Sequence, residues 1–388
     1  MAVELFWRIP INGDGRPVAQ AGWNRGDWNQ PSSRSIAPAS RSAQAGQSRY
    51  IDYLVQVAQA SEIAGFDGVL VPSAWNSEEP WIVSTILAQK TSSLRLMPAF
   101  QPAFMEPVYA AKMSATFQRI SNGRLEWNVI SGGSAPAQKA YGDFLPHDDR
   151  YKRTEEFLDV IAALWSGEPV RHKGQFYQVE NEGLAAPLAG VRKPGVYFSG
   201  ASDAGLQVAA KHADMHLSWL EPIDAVRKNI QQLNDLAAKH GRRPRHGIRV
   251  DIFARETEAE AWAEARRLWD ELDVNAGKIA KLLTSSKGGD SVGAQRQMAL
   301  RPEGATRFED YIVGPNLWSG LGIIRPGPTV GIFGSYEQVA ERLNEYVDAG
   351  IDHFILAGNP HLEEAYRVGE EVLPLIRKRW APAREAAE

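Results

Sequence analysis

Short apolar segments alternate with amphipathic helical stretches through most of this 388-residue chain. The alternation is typical of parallel strands covered by helices, because a strand buried on both faces is apolar throughout. The predicted fold class is therefore α/β, a (β/α)8 TIM-type barrel, and its usual length of about 250 residues leaves room for insertions. The eight predicted strands run from Glu4 to Arg8, Gly68 to Val71, Leu94 to Phe100, Leu125 to Ile130, Val196 to Ser199, Met215 to Ser218, Ile248 to Phe253 and His353 to Leu356.

Two of the intervening helices have clear C-terminal ends. The stretch from Tyr50 to Ala64 places its apolar residues near one face and stops at Gly65. The stretch from Glu337 to Val347 stops in the same way near Gly350. Glycine just after a helix readily adopts the left-handed conformation that ends it, so both boundaries are predicted from the residue type alone.

Two long stretches interrupt this rhythm, at about 13–48 and 273–331. The first is rich in Gly, Ser, Pro, Arg, Gln and Ala, and the second combines a helical segment with the Gly/Pro run Gly320 to Pro328. Loops after barrel strands line the C-terminal mouth, where the active site of this fold lies, so both insertions are lid candidates. Disorder or an oligomer contact is an equal alternative for the first. We expect one domain over 1–380, followed by a tail at 381–388.

Composition and charge exclude several classes of function. Apolar residues make up 44% and charged residues 23% of the chain, and no apolar run reaches the 18 or so residues of a membrane helix. With a formal charge of −4 and scattered basic residues, we expect no binding to nucleic acid or membrane. The lack of cysteine excludes disulfides, a thiolate nucleophile and Cys-based metal sites, and no metal site is predicted. The N-terminus lacks a secretory signal, so we expect a cytoplasmic protein.

Small polar residues follow two of the predicted strands. Ser131, Gly132 and Gly133 follow one strand, and the run from Ser199 to Ser202 follows another. Hydroxyls and exposed backbone N–H groups in such turns can hold a phosphate, and Tyr151 could cover it. The alternative is that glycine and serine here merely form ordinary turns.

Arg249 and Asp251 alternate along one predicted strand, so their side chains point to the same side. If that side is the barrel lumen, two opposite charges lie at the mouth of the site. A guanidinium stays charged and donates two parallel hydrogen bonds, which suits an oxyanion. The alternative is a structural ion pair between the two residues.

The segment from Phe354 to Arg367, with an apolar strand that runs into an acid-rich helix, reads FILAGNPHLEEAYR. Other distinctive segments are FWRIPINGDG, GFDGVLVPS, SATFQRISNGRLEWNVISGG, HDDRY, VYFSGASDAG, HLSWLEP, HGIRVDIFARET and NLWSGLGIIRPGP. In their order and spacing these segments resemble the flavin-dependent alkanesulfonate monooxygenases of the bacterial-luciferase-like superfamily. The resemblance covers nearly the whole chain.

The resemblance implies a two-component monooxygenase that uses O2 and reduced FMN (FMNH2). An NAD(P)H-dependent flavin reductase would supply the FMNH2, and an organosulfur substrate would release sulfite and an aldehyde. A homodimer or homotetramer is implied as well. The residues that would bind the cofactor are Asn128, Ser131, Tyr151, Ser199, Gly200, Ala201 and Ser202.

The resemblance also assigns residues to the reacting end of the site. Arg249 would bind a sulfonate or stabilise the charge that develops during oxygen transfer, and Arg325 would lie on a mobile lid. Trp219 would form an aromatic wall beside the substrate, and His361 would orient a loop or donate to an oxygen. Each residue also has an alternative interpretation without a role in the reaction: a surface arginine for Arg325, a core tryptophan for Trp219 and a structural histidine for His361.

Four positions depart from the alkanesulfonate pattern. Asn12 and Asn359 stand where histidine and tyrosine are common, and Ser77 stands where a cysteine often occurs. Asp251 replaces a histidine that is a candidate acid or base. The flavin side of the pattern is thus kept while the substrate side has changed, which favours a changed substrate or changed proton handling.

Three alternative functions remain open from the sequence. The substrate could be neutral, such as a sulfone or a compound without sulfur, because Asp251 partly cancels the field of Arg249. The cofactor could be a deazaflavin, as in some members of the superfamily. The protein could also be a flavin-binding relative that has lost turnover.

Overall fold

In the computed structural model of the chain, the described residues are 3–11, 14–15, 24–25, 50–74, 77–132, 135–270, 291–300, 303–324 and 329–380. The strands are β1 Glu4–Arg8, β2 Asp14–Gly15, β3 Asn24–Arg25, β4 Gly68–Val71, β5 Arg95–Phe100, β6 Trp127–Ile130, β7 Val170–Lys173, β8 Gln178–Asn181, β9 Val196–Ser199, β10 Met215–Trp219, β11 Arg245–Arg255, β12 Ile312–Gly314, β13 Leu317–Trp318, β14 Gly331–Ser335 and β15 His353–Ala357.

The helices lie outside the strands. They are α1 Tyr50–Ile63, α2 Pro80–Lys90, α3 Pro107–Ser121, α4 Ala135–Ala140, α5 His147–Trp165, α6 Asp203–His212, α7 Ile223–Ala238, α8 Glu258–Asp270, α9 Val292–Ala299, α10 Leu321–Ile324, α11 Tyr336–Asp348, α12 His361–Arg367 and α13 Leu373–Trp380. Short 3-10 turns form Pro102–Phe104 and Phe308–Tyr311, and a π-helical turn, Val368–Val372, joins α12 to α13.

Eight parallel strands close a barrel in the order β1, β4, β5, β6, β9, β10, β11, β15. The closure is explicit in the register, because β10 pairs with both β9 and β11, and β15 pairs with both β11 and β1. The predicted (β/α)8 barrel and its strands are therefore confirmed. The predicted helix ends are confirmed too, since Gly65 has a φ of 86° and Gly350 a φ of 107°.

The barrel lumen is filled in layers. At the N-terminal end, Glu4 accepts a hydrogen bond from Arg245 at 2.8 Å and lies 3.1 Å from Arg95. The next layer is apolar and includes Phe6, Leu217 and other residues of one buried cluster. The inward positions at the C-terminal ends of the strands include polar side chains. The lumen is therefore a packed core with paired charges at its N-terminal end, an apolar middle layer and a polar C-terminal mouth.

The second predicted insertion contains regular structure in its described part. Strands β12 and β13 of this insertion form an antiparallel extension with β14, which follows the insertion. Strand β14 in turn pairs in parallel with the second half of β11, from Asp251 to Arg255. Phe253 and Phe333 stack there at 4.4 Å, and with α8 they build a core of their own. The sequence pattern did not predict β14 or this core. In the first insertion, the short strands β2 and β3 pair where only a loop was predicted.

No helix in the described part of the chain is long and apolar enough to cross a membrane.

Candidate active site

A cavity of about 350 Å³ opens at the C-terminal mouth of the barrel, beside the ends of β6, β9, β10 and β11. Its wall contains every residue that the sequence assigned to cofactor binding. These residues are Asn128, Ser131, Tyr151, Ser199, Gly200, Ala201 and Ser202. Two residues assigned to the reacting end, Trp219 and Arg249, line the same cavity. The structure thus brings the two groups of predicted residues together in one space.

The turn from Ser199 to Ser202 leads directly into the N-terminus of α6. The Ser202 side chain caps that helix by accepting a hydrogen bond from the Gly205 N–H at 3.2 Å. A helix N-terminus carries a partial positive charge and unpaired N–H groups, which favour an anion. A Cβ atom on Gly200 would lie 3.1 Å from Gly205 Cα and 3.2 Å from Tyr151 Cε1, so the close packing here favours glycine.

The turn is supported from behind by a buried histidine on β10. His216 Nε2 lies 3.1 Å from the Gly200 carbonyl oxygen, and because a carbonyl only accepts, the imidazole donates through Nε2. Burial lowers the pKa of His216, which keeps it neutral. The backbone of the turn is therefore fixed by a side chain that sequence reasoning missed.

A second wall of the cavity is built by β6 and α5. Ser131 Oγ lies 2.9 Å from Thr154 Oγ1, and Arg150 donates to the Gly132 carbonyl at 3.3 Å. The Oδ1 atom of Asn128 is buried and has no hydrogen-bond partner in the described ranges. A bound molecule with an N–H group would satisfy it. A phosphate cradle and an orphaned amide oxygen in one cavity fit a flavin mononucleotide.

Arg249 lines this cavity and is half-buried. Its Nε atom has no hydrogen-bond partner, and the side chain forms no ion pair with any residue in the described part of the chain. Burial, together with the nearby charge of Arg8, lowers the pKa of Arg249. A guanidinium held in this state favours the arrival of an anion, which would restore the interactions lost on burial.

Asp251 lies further along β11, level with Ala357 of β15, and it is buried. The structure does not place it in the cavity wall with Arg249. The two side chains share the lumen face, as the strand alternation predicted. No Arg249–Asp251 ion pair is found in the part of the chain that the structure describes, and a structural role for the two charges stays an alternative prediction.

His361 and Asn359 meet at a buried carboxylate outside the cavity wall. Asp14 Oδ1 lies 2.8 Å from His361 Nδ1 and accepts a hydrogen bond from Asn359 Nδ2 at 2.9 Å. Asp14 Oδ2 accepts from the His361 backbone N–H at 2.8 Å and from the Tyr53 hydroxyl. Burial opposes ionisation of Asp14, but the His361 and Tyr53 interactions outweigh it and lower the pKa of Asp14.

Among the described residues, Ser77 is not part of the cavity wall. Ser77 is used in a local turn, where its hydroxyl donates to the Ala74 carbonyl at 2.9 Å and accepts from the Ala74 N–H at 3.0 Å. Asn12 and Arg325 lie outside the described residues. Their predicted roles, and those of His361 and Asn359, stay predictions.

Two residues of the cavity wall, His147 and His216, and two residues outside the wall, Arg8 and Asp14, were missed from the sequence. His147 lines the cavity beside Tyr151, and it opens the HDDRY segment, which was a usable signal. Arg8 ends β1 within the segment FWRIPINGDG, where only its alternation with Glu4 and Phe6 marks it as facing the lumen. Asp14 and His216 carried no local signal, since their partners are distant in sequence.

The turn at the N-terminus of α6 and an arginine without an ion pair in the described residues share one cavity at the mouth of a (β/α)8 barrel. The model of the luciferase-like monooxygenase family matches residues 34–353 of this sequence. The chain belongs to this family. The match spans strands β4 to β14 and therefore most of the cavity wall.

Solved structures share the fold of this luciferase-like chain at low sequence identity. A riboflavin lyase structure with modified FMN and riboflavin has a TM-score of 0.74 and 19% identity, and the match covers 99% of this chain and 93% of that one. The EDTA monooxygenase from Chelativorans sp. BNC1 has a TM-score of 0.72 and 18% identity, with 100% and 96% covered. An F420-dependent secondary alcohol dehydrogenase has a TM-score of 0.66 and 18% identity, with 97% and 100% covered.

Proposed function

We propose that this protein is a two-component monooxygenase that uses FMNH2 and O2 to oxygenate an organosulfonate. In the proposed reaction the carbon–sulfur bond breaks, one oxygen atom of O2 becomes the aldehyde oxygen, and the other leaves in water. FMNH2 supplies the two electrons and is released as FMN. The products are sulfite and an aldehyde, so atoms and electrons balance.

One observation carries the proposal: the phosphate cradle and Arg249 lie in the same cavity. Ser199 to Ser202, with Tyr151 and Ser131, would hold the FMN phosphate, and Asn128 would lie along the ring system. Arg249 would then bind the sulfonate beside the flavin by two charge-assisted hydrogen bonds. Bound FMNH2 would supply the two electrons that activate O2, while the protein positions the substrate and excludes water.

The apolar layer of the lumen supports the proposed orientation of the substrate. Leu217, Ile355 and Trp219 line the cavity next to Arg249. A sulfonate held by Arg249 would therefore have apolar surface available for its carbon chain, while its charged end meets the guanidinium. Arg325, carried by the second insertion, would close over the anion as a lid.

The proposal includes partners. An NAD(P)H-dependent flavin reductase would deliver FMNH2 in the cytoplasm, and the protein would act as a homodimer or homotetramer. Apolar side chains exposed on α2 and α3, among them Ile82, Tyr109 and Ile120, support self-association, since exposed apolar surface of this kind often marks an interface.

The proposal is tested by sulfite release. The purified protein is mixed with FMN, a flavin reductase and NADH, and simple alkanesulfonates, sugar sulfonates and sulfones are offered in turn. We expect sulfite only with the complete mixture and a sulfonate. Arg249→Met should abolish sulfite formation while the melting temperature stays within a few degrees of the parent value. Full turnover by Arg249→Met would remove this residue from the mechanism.

A deazaflavin cofactor is the second candidate, because an F420-dependent dehydrogenase shares the fold at a TM-score of 0.66. Fluorescence titration of the apo protein distinguishes the two. Tight FMN binding with weak F420 binding supports the proposal, and the reverse order favours the deazaflavin. Tight FMN binding without oxygenation of any sulfonate or sulfone would indicate a flavin-binding relative without turnover.

A further inference from the structure

A second guanidinium lies near Arg249 on the lumen face of the barrel. Strand alternation from Glu4 and Phe6 places Arg8 inward at the C-terminal end of β1. Arg8 is half-buried, and its charge acts on Arg249. Its Nε atom has no hydrogen-bond partner in the described residues. Trp7 is level with Leu356 and Arg249 with Ile355, so Arg8 lies about two residues nearer the mouth than Arg249. Two like charges so close on one face repel each other, so their placement requires an explanation.

The hydrogen bonds around His361 hold Arg8 in place. His361 Nδ1 lies 2.8 Å from Asp14 Oδ1, and Arg8 Nη1 lies 3.3 Å from His361 Nε2. A carboxylate only accepts and a guanidinium only donates, so Nδ1 carries the proton and Nε2 offers its lone pair to Arg8. His361 is thereby the neutral Nδ1–H tautomer, a connector between a carboxylate and a guanidinium.

Several hydrogen bonds hold the Asp14 carboxylate in place, so it can anchor His361 and, through His361, Arg8. It accepts from the Asn359 side chain, the His361 side chain and backbone, and the Tyr53 hydroxyl. These donors come from α1 and from the turn that follows β15. These hydrogen bonds therefore connect β2, α1 and the turn after β15 to the end of β1.

The charges of Arg8 and Arg249 are only partly offset at the lumen. Asp14 forms no direct hydrogen bond or ion pair with either arginine within the described ranges, although its negative charge acts on Arg8. Arg8 donates to the imidazole of His361, and Arg249 has no ion pair in the described residues, although the buried Asp251 shares its face of β11. Two arginines that form no direct ion pair in the described residues create a field at the end of the apolar lumen that attracts an anion.

We propose that Arg8 supplies the second positive charge of the anion site, and that Asp14 and His361 position it. Arg8 and Arg249 would act as a pair that selects a substrate with a sulfonate head group over a neutral analogue of the same shape. His361 would be a positioning residue and not a proton donor. The identity of the anion rests on the proposed function, but the charge pair itself does not.

The test compares an anion with a neutral molecule of the same shape. In ethyl methyl sulfone a methyl group replaces the anionic oxygen of ethanesulfonate. Calorimetry measures the affinity of the full-length, FMN-loaded protein for each molecule. We expect Arg8→Met to weaken ethanesulfonate binding about tenfold, because one nearby charge is lost, and to change sulfone binding less than about twofold. Arg8→Lys, which keeps the charge, should recover most of the affinity.

Arg171→Met is the matched control. Arg171 is an exposed arginine on β7 that pairs with Glu182, and its loss changes the net charge of the protein equally. It should leave both affinities unchanged. Equal losses for Arg8→Met and Arg171→Met would overturn the inference, since net charge alone would then explain them.

Two replacements of His361 test the connection to Arg8. Asparagine places an amide N–H near the position of Nδ1 and keeps the bond to Asp14, but it cannot reach Arg8. Glutamine places its amide oxygen near the position of Nε2 and can still accept from Arg8. We expect His361→Asn to weaken ethanesulfonate binding severalfold and His361→Gln to stay within about twofold of the parent. The opposite order would overturn the positioning role.

The outcomes separate this inference from the proposed function. If Arg249→Met abolishes ethanesulfonate binding and Arg8→Met does not weaken it, the proposed function stands and the inference is wrong. If both substitutions weaken binding but no sulfite is formed in the coupled assay, the charge pair stands and the oxygenation proposal fails. If neither Arg249→Met nor Arg8→Met changes the affinity for ethanesulfonate, both the proposed function and this inference are wrong.

Discussion

The charge of single residues decides what this site can bind. Arg249 faces the cavity without an ion pair in the described residues, and Asp251 follows it on the same face of β11. The alternation of the strand made their shared orientation predictable. The distance of Asp251 from the cavity wall was not predictable, because it depends on where β14 and β15 pair with β11.

Asp251 should oppose anion binding through its charge. Asp251→Asn keeps the shape of the side chain and removes the carboxylate, so we expect ethanesulfonate to bind about threefold more tightly. Calorimetry with the FMN-loaded protein measures the change, and ethyl methyl sulfone serves as the uncharged control. Weaker ethanesulfonate binding by Asp251→Asn would show that the carboxylate supports the site. Asp251→His should in addition raise turnover of simple alkanesulfonates.

At the scale of the elements, strand ends and the turns after them build the site. The turn between β9 and α6 forms the cradle, and His216 on β10 fixes it by donating to the Gly200 carbonyl. The cavity wall therefore depends on a contact between two neighbouring strands. Such a contact can be lost without disturbing the barrel itself.

The contact between His216 and Gly200 should contribute to cofactor affinity. His216→Leu removes the donor, and we expect FMN to bind about fivefold more weakly because the turn loses one hydrogen bond. His216→Gln places an amide N–H near the position of Nε2 and should restore most of the affinity. Fluorescence titration with FMN measures both variants. If the two bind equally and normally, the cradle does not depend on this bond.

The elements that the sequence predicted well are those with local signals. An apolar run such as Leu94 to Phe100 marks a strand wherever it lies, and Gly65 marks a helix end by its own conformation. Strand β14 was missed because its pairing with β11 joins residues about 80 positions apart. Asp14 was missed because the residues around it have no periodicity and its partners, Asn359 and His361, lie at the other end of the chain.

At the scale of the whole molecule, the two ends of the barrel have different chemistry. The N-terminal end is closed by Glu4 with Arg95, Arg245 and His353, a cluster in which opposite charges are paired. The C-terminal end carries Arg8 and Arg249 without such balance in the described part of the chain. This division agrees with the general rule that one end of such a barrel serves stability and the other serves function.

The paired end should control stability and its dependence on pH. Burial opposes ionisation of Glu4, but hydrogen bonds from His353 and Arg245 and the charge of Arg95 outweigh it and lower the pKa of Glu4 well below its ordinary range. Its stabilisation is therefore complete above the ordinary glutamate pKa of about 4.3 and is lost as the pH falls through the lowered value. We expect Glu4→Gln to reduce the free energy of unfolding by about 2 kcal/mol at pH 7.

Denaturant unfolding at several pH values measures this effect. The difference between the parent and Glu4→Gln should be largest near neutral pH and shrink below about pH 4. Glu182→Gln, which removes an exposed partner of Arg171, should change the stability by less than about 0.5 kcal/mol. A Glu4→Gln difference that grows as the pH falls would contradict the lowered pKa.

The most direct test of the central claim is a single turnover without a reductase. The protein is loaded anaerobically with FMNH2 and ethanesulfonate and is then mixed with O2, and sulfite and acetaldehyde are measured against the flavin oxidised. The proposed reaction predicts that sulfite and acetaldehyde appear in equal amounts, and that neither forms when protein, substrate or O2 is omitted. Complete oxidation of the flavin to FMN and hydrogen peroxide, with no sulfite from ethanesulfonate or any other sulfonate, would contradict it.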